Sequence, residues 1–112
     1  MAQDRAARIA ALNDQFRKNP LDGNGQIVMS RAVHALGAEF ALKALSAIAA
    51  FDSFSRDNDP YGEHDFGSVE VDGEKFFFKF DYYDPTHAMY SEDPADQSKT
   101  ERVLTIMLAS EY

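Results

Sequence analysis

A chain of 112 residues with 45% hydrophobic content is long enough for one hydrophobic core and too apolar for wholesale disorder. It has no cysteine, which excludes disulfides and thiolate zinc sites. Its net charge of −8 has the wrong sign for binding nucleic acid by counterion release. The excess negative charge is local: residues 52–96 hold 13 acids and 3 bases, and the rest of the chain is slightly basic. Met1–Ala11 carries Asp4, Arg5 and Arg8 and lacks the apolar run of a signal peptide. The longest apolar stretch, Phe40–Phe51, is too short to span a bilayer. The expected setting is cytoplasmic, as one domain over residues 1–112.

Gln3–Lys18 reads as an amphipathic helix. Ile9, Leu12 and Phe16 form its stripe, extended by Ala2 and Ala6. Arg17 and Lys18 fall in the last turn, where cations suit the helix dipole, and Asn19-Pro20 ends it. Leu21–Gly25 is turn chemistry, without the lysine or glycine spacing of a phosphate loop. Gln26–Ser30 is a short strand with Ile27 and Met29 on one face, followed by a linker around Arg31–Leu36.

A second helix is expected from about Ala38 to Phe51. Its only polar residues, Glu39, Lys43 and Ser46, form one narrow stripe, so it is expected to be covered on most sides as the central core helix. Further on, Asp72-Gly73 separates two β-rich runs, Phe66–Val71 and Glu74–Tyr83. This pattern predicts a two-residue hairpin that pairs Val69 with Phe76. The register puts Val69, Val71, Phe76, Phe78, Phe80 and Tyr82 on the core face. Glu70, Lys75, Phe77, Lys79 and Asp81 take the other.

Asp84–Lys99 is an acidic loop broken by two prolines. In Arg102–Ser110, Val103, Thr105 and Ile106 favour a strand, whereas Ser98–Glu101 matches a capping box that would open a helix; the strand is preferred. The fold expected is α+β: two N-terminal helices packed on a roughly four-stranded antiparallel or mixed sheet, in the order α-β-α-β-β-β.

Chemistry-bearing residues concentrate in Asp57–Gly67. Asp57, Asp59 and Gly62 match positions one, three and six of a calcium-binding EF-hand loop, but Tyr61 and Ser68 break the pattern at five and twelve. Glu63, His64, Asp65 and the distant His87 are candidate metal ligands, although adjacent side chains in extended backbone alternate sides. The competing reading is structural: Asp, Asn, Pro and Gly together build turns. Tyr82, Tyr83 and Tyr90, with Asp81 and Asp84, form an aromatic–acidic patch after the hairpin. His34 is isolated, and no serine lies in a nucleophile elbow.

The motifs DNDPYGEHDFG (Asp57–Gly67), DYYD (Asp81–Asp84) and RVLTIMLASEY (Arg102–Tyr112) resemble the DUF3768 family of small bacterial proteins, and ALNDQFR (Ala11–Arg17) resembles its opening helix. The resemblance implies a bacterial protein and marks the acidic loop as a family hallmark. It assigns no catalytic residue.

The function expected is a non-enzymatic interaction module, such as a regulator or inhibitor of a basic, nucleic-acid-handling protein, with a DNA mimic as the extreme case. Its expected surface comprises Asp57, Asp59, Tyr61, Glu63, Asp65, Tyr83, Asp84, Tyr90, Glu92 and Asp93. No cofactor, membrane or direct nucleic-acid contact is expected. The alternatives are a small metal-dependent or hydrolytic enzyme using the Asp57–Asp65 loop, and a small-ligand binding domain.

Overall fold

The structure is a computed structural model that describes residues 2–22 and 25–112. Helix α1 (Ala2–Lys18) is followed by a 3-10 turn at Pro20–Asp22 and strand β1 (Gly25–Met29). Helices α2 (Arg31–Ala35) and α3 (Ala38–Ala50) precede strands β2 (Phe66–Val71), β3 (Glu74–Tyr83) and β4 (Glu101–Leu108). The four strands form one mixed sheet in the order β1-β4-β3-β2, with β1 parallel to β4 and the other pairs antiparallel. The expected α+β architecture is thus observed, with one helix more than expected. The turn residues Gly23 and Asn24 lie outside the described residues, as does the side chain of Ala2.

The hairpin has the expected register, with Val69 opposite Phe76 and Val71 opposite Glu74. Asp72 and Gly73 take φ values of 52° and 83°, the double positive φ of the turn that matches the strands' right-handed twist. Lys43 of α3 donates to Asp72 Oδ2 at 2.9 Å, so the turn is also tied to the helix layer. Phe76, Phe78 and Phe80 point into the core with Phe16, Val33, Ala44, Ile48, Leu104 and Ile106. Phe77, Lys79 and Asp81 alternate onto the opposite face. There Phe66, Phe77 and Tyr112 form an aromatic cluster with ring centroids 5.2–6.0 Å apart, Tyr112 meeting both phenylalanines edge-to-face.

Two sequence expectations need correction. The stretch expected as a linker contains α2, whose Ser30 hydroxyl accepts from Val33 N and whose Val33 is fully buried. Five residues are too few to display a helical period. Helix α3 is not covered on most sides: only Ala44 and Ile48 are buried, and Leu42 is 66% exposed. Its alanines are apolar by composition without demanding cover. Arg17 lies in the last turn of α1, as expected. It is buried, and its Nη1 donates to the Ile48 carbonyl at 2.6 Å and the Ala49 carbonyl at 3.3 Å. It therefore satisfies carbonyls in the last turn of α3, where helix carbonyls lack internal partners.

Between Ser98 and Glu101 no α-helix starts. Asp96 caps a short 3-10 turn at Gln97–Lys99 by accepting from Ser98 N, and β4 begins at Glu101. Gly67 shows how tightly the sheet meets α3. A Cβ there would lie 2.5 Å and 2.6 Å from Phe78 ring atoms and 2.9 Å from the Phe51 ring. Gly67→Ala is expected to lower stability by about 1–3 kcal/mol through overpacking, read as a lower denaturation midpoint at unchanged m-value. An unchanged midpoint would show that the two rings are free to move.

Candidate functional site

The Asp57–Gly67 motif is an acidic loop by composition and a stapled loop in space. Asn58 Oδ1 accepts from Ser55 N, and its Nδ2 donates to the Ser53 carbonyl. Asp59 is buried, and its Oδ1 accepts from the backbone N–H groups of Glu63 and His64 at 2.9 Å and 3.1 Å. Gly62 supplies a φ of 72° and His64 one of 56°. These are the local side-chain-to-backbone bonds that Asn and Asp favour in turns.

His64 then anchors the loop to α1. Its Nδ1 lies 3.0 Å and 2.9 Å from the two carboxylate oxygens of Asp14. A carboxylate only accepts, so Nδ1 carries the proton. The imidazole stacks on Phe54, with centroids 4.0 Å apart and planes within 2°. Asp14 also accepts from Arg17 Nη2 at 2.9 Å, and the Arg17 guanidinium lies over the same Phe54 ring, 5.3 Å from its centroid. Loop, α1 and the end of α3 are thus joined through one histidine, one carboxylate and one guanidinium.

A second polar seam runs beside the first. Asn13, fully buried, donates from Nδ2 to the Tyr82 hydroxyl at 2.9 Å and to the Glu63 carbonyl at 3.0 Å. Tyr82 donates in turn to Glu63 Oε1 at 3.1 Å. Arg102 Nε donates to Asn13 Oδ1 at 2.9 Å, and the guanidinium sits 5.6 Å from the centre of the Tyr82 ring. Burial pushes the Tyr82 phenol well above its ordinary range, so it remains a neutral donor. An open groove of about 290 Å³, lined by Arg5, Ala6, Ile9, Tyr61 and Glu63, borders this seam.

The four candidate metal ligands do not converge. His64 is engaged with Asp14, and Glu63 with Tyr82. His87 Nε2 lies 3.3 Å from Glu101, and its ring stacks on Tyr83. Among the described residues no three His, Asp or Glu side chains are placed to hold a metal ion.

The expected surface set divides. The Asp59 carboxylate is turned inward onto backbone amides, and Asp65 is half-buried. Asp93 pairs with Arg5 at 3.1 Å. Asp57, Tyr61, Tyr90 and Glu92 are exposed. Tyr83 and Tyr90 face each other across an isolated antiparallel bridge and stack with centroids 5.5 Å apart. Asp84 staples the intervening turn by accepting from Thr86 N, Thr86 Oγ1 and Ala88 N. The hydrogen bond from the Thr86 side chain holds its pKa below the ordinary carboxylate value. Next to it, Asp84, Pro85, Glu92, Ser98 and Lys99 line a cavity of about 300 Å³.

Asn13, Asp14 and Arg102 were not singled out by sequence reasoning. One signal was present: Asn13 follows Ile9 by four residues and so stands on the helix's apolar side.

Asp65 lies where burial and the nearby charge of Glu63 raise its pKa above the ordinary carboxylate value. The folded state therefore holds its proton more tightly than the unfolded chain. Its ionised form costs stability once the pH exceeds the unfolded value of 3.8. Asp65→Asn is expected to raise the melting temperature at pH 7. The gain should vanish below the unfolded value, where both states are protonated. Paired thermal melts across pH 3–7 check this, and a loss of stability at pH 7 would show that the charge is used.

No helix among the described residues is long and apolar enough to cross a membrane. No curated protein and no solved structure matches the chain. A family model described as a protein of unknown function (DUF3768) matches residues 29–111. That span contains the stapled loop and strands β2 to β4, while α1, the source of Asn13, Asp14 and Arg17, precedes it. Because the match covers most of the sequence, the chain belongs to the DUF3768 family of proteins of unknown function.

Proposed function

We propose that this protein is a docking module that receives a lysine- or arginine-rich segment of a partner protein at the Tyr83–Tyr90 end of its sheet. The carrying observation is an exposed aromatic surface rimmed by carboxylates. Tyr90 is 74% exposed and stacks on Tyr83, and Met89 beside it is 71% exposed. Tyrosine and methionine are enriched at interfaces because they bury large area at little cost in polar groups. Asp84 and Glu92 line the adjoining cavity, against one cation, Lys99. A guanidinium or ammonium group can lie over the tyrosine rings while its charge meets these carboxylates.

A regulator or inhibitor of a basic, nucleic-acid-handling protein in the bacterial cytoplasm is the concrete form of this reading. The hydrolytic alternative has the Asp14–His64 pair in its favour, since a carboxylate on Nδ1 is how a general base is oriented. The other ring nitrogen, however, faces Asp59 Oδ2 at 3.9 Å, and the ring is stacked on Phe54. Loop anchoring accounts for the whole arrangement.

Fluorescence anisotropy with a labelled oligo-arginine peptide tests the docking reading. Tyr90→Ala and Glu92→Lys are each expected to weaken binding by about tenfold without changing the melt, because both side chains are exposed. Affinity should fall as salt rises through the Debye-screening range. Peptide binding that is equal in all three proteins, or absent in the wild type, overturns the proposal.

A further inference from the structure

The helices pack on one face of the sheet, through Phe76, Phe78, Phe80, Leu104 and Ile106. The alternate residues of the same strands point the other way. Along β3 these are Lys75, Phe77, Lys79 and Asp81. Met107 stands opposite Phe77 on β4, Phe66 opposite Lys79 on β2, and Val28 of β1 lies opposite Thr105 in the same layer. An uncovered antiparallel face ordinarily turns polar residues to water. Here Phe66, Phe77 and Met107 are only partly buried, Val28 is 41% exposed, and Tyr112, 76% exposed, meets both phenylalanines edge-to-face. A contiguous apolar patch of this kind marks a contact surface.

Charge and size both point to the occupant. Copies of a chain with a net charge of −8 repel one another wherever that charge is exposed. The strands put Glu70, Asp81 and Glu101 on this face against Lys75 and Lys79, three acids and two bases, so the face is nearly neutral. The order along β3 is also self-complementary. Lys75, Phe77, Lys79 and Asp81 are evenly spaced, and turning the row end over end onto itself lays Lys75 over Asp81 and Phe77 over Lys79. Asp81 already holds Lys79 at 3.3 Å and has lone pairs left for a second ammonium group. The shorter central strand, β4, has 8 residues, and the sheet has four strands. That gives a footprint of about 26 Å by 19 Å, roughly 500 Å² before side-chain relief is counted. A standard interface takes about 600–1,000 Å² of accessible surface from each partner, so the face has the size of a modest dimer contact.

We propose that the open sheet face binds the same face of a second copy of this chain, with the two β3 strands antiparallel across a two-fold axis. The two sheets stack as the inner layers of a sandwich, about 10 Å apart. Phe77, Met107 and Tyr112 fill the centre, and a Lys75–Asp81 pair closes each end of the β3 row.

Sedimentation equilibrium of the intact protein across about 1–300 µM tests this, a range that covers the micromolar affinity expected of a modest contact. The wild type is expected to pass from monomer to dimer as concentration rises. Lys75→Glu sets Glu over Asp81, and Asp81→Lys sets Lys over Lys75, so each variant alone should dimerise at least tenfold more weakly. An equimolar mixture of the two should dimerise again, because each charge then meets its opposite. Circular dichroism of each variant confirms folding. If one of them does not fold, Tyr112→Ser, altered at an exposed side chain, replaces it and should weaken the dimer about tenfold. A wild type that stays monomeric, charge variants that dimerise as well as the wild type, or a mixture that stays monomeric overturns the proposal. So does a Tyr112→Ser dimer as tight as the wild type's.

Discussion

Asn13 is the point on which the packing of this molecule depends. It is fully buried between α1 and the sheet and spends its amide on Tyr82, the Glu63 carbonyl and Arg102. Each of those partners belongs to a different part of the chain. Had an apolar residue stood there, the Tyr82 hydroxyl, the Glu63 carbonyl and a guanidinium nitrogen would each lose a partner in a low-dielectric interior, at about 1–3 kcal/mol apiece. A buried polar seam of this kind accepts few geometries. It sets how α1 lies on β3 and β4 more narrowly than the surrounding aliphatic contacts do.

The acidic loop follows from that placement. With α1 held on the sheet, Asp14 stands where His64 can reach it, and Arg17 reaches the last turn of α3. Asn58 and Asp59 shape the loop from within, and Phe54 gives His64 a stacking platform. Much of the motif's chemistry is consumed in building the loop. Aspartate, histidine and glycine in close sequence are the parts of a metal site, and they are equally the parts of a stapled turn. The partners of each side chain decide which of the two they make.

The exposed aromatic residues lie elsewhere. The sheet face opposite the helices carries Phe66, Phe77 and Tyr112 at one end and Tyr83, Tyr90 and His87 at the other. The second cluster borders carboxylates, one of which, Asp84, has its charge held by the turn it staples. In the proposed docking, rings already stacked beside a fixed charge would need little ordering, which lowers the entropic cost of binding.

The hairpin was legible from residues alone. Asp72-Gly73, the alternation of Phe76, Phe78 and Phe80 with Lys75, Lys79 and Asp81, and the two-residue count agree on one register. Local turn geometry and a period of two are properties of neighbouring residues. The β-branched run in β4 was legible for the same reason, as was α1. Helix α2 was not, because five residues are shorter than the pattern that reveals a helix. Nor were the roles of Asp14, Arg17 and Arg102 legible. A charged residue reads as solvent-facing until its partners are known, and theirs lie 50, 31 and 89 positions away. Sequence alone determined the elements whose hydrogen bonds and faces are set by near neighbours. Only tertiary structure decided which polar groups are buried together, because that depends on residues brought close by packing and not by the chain.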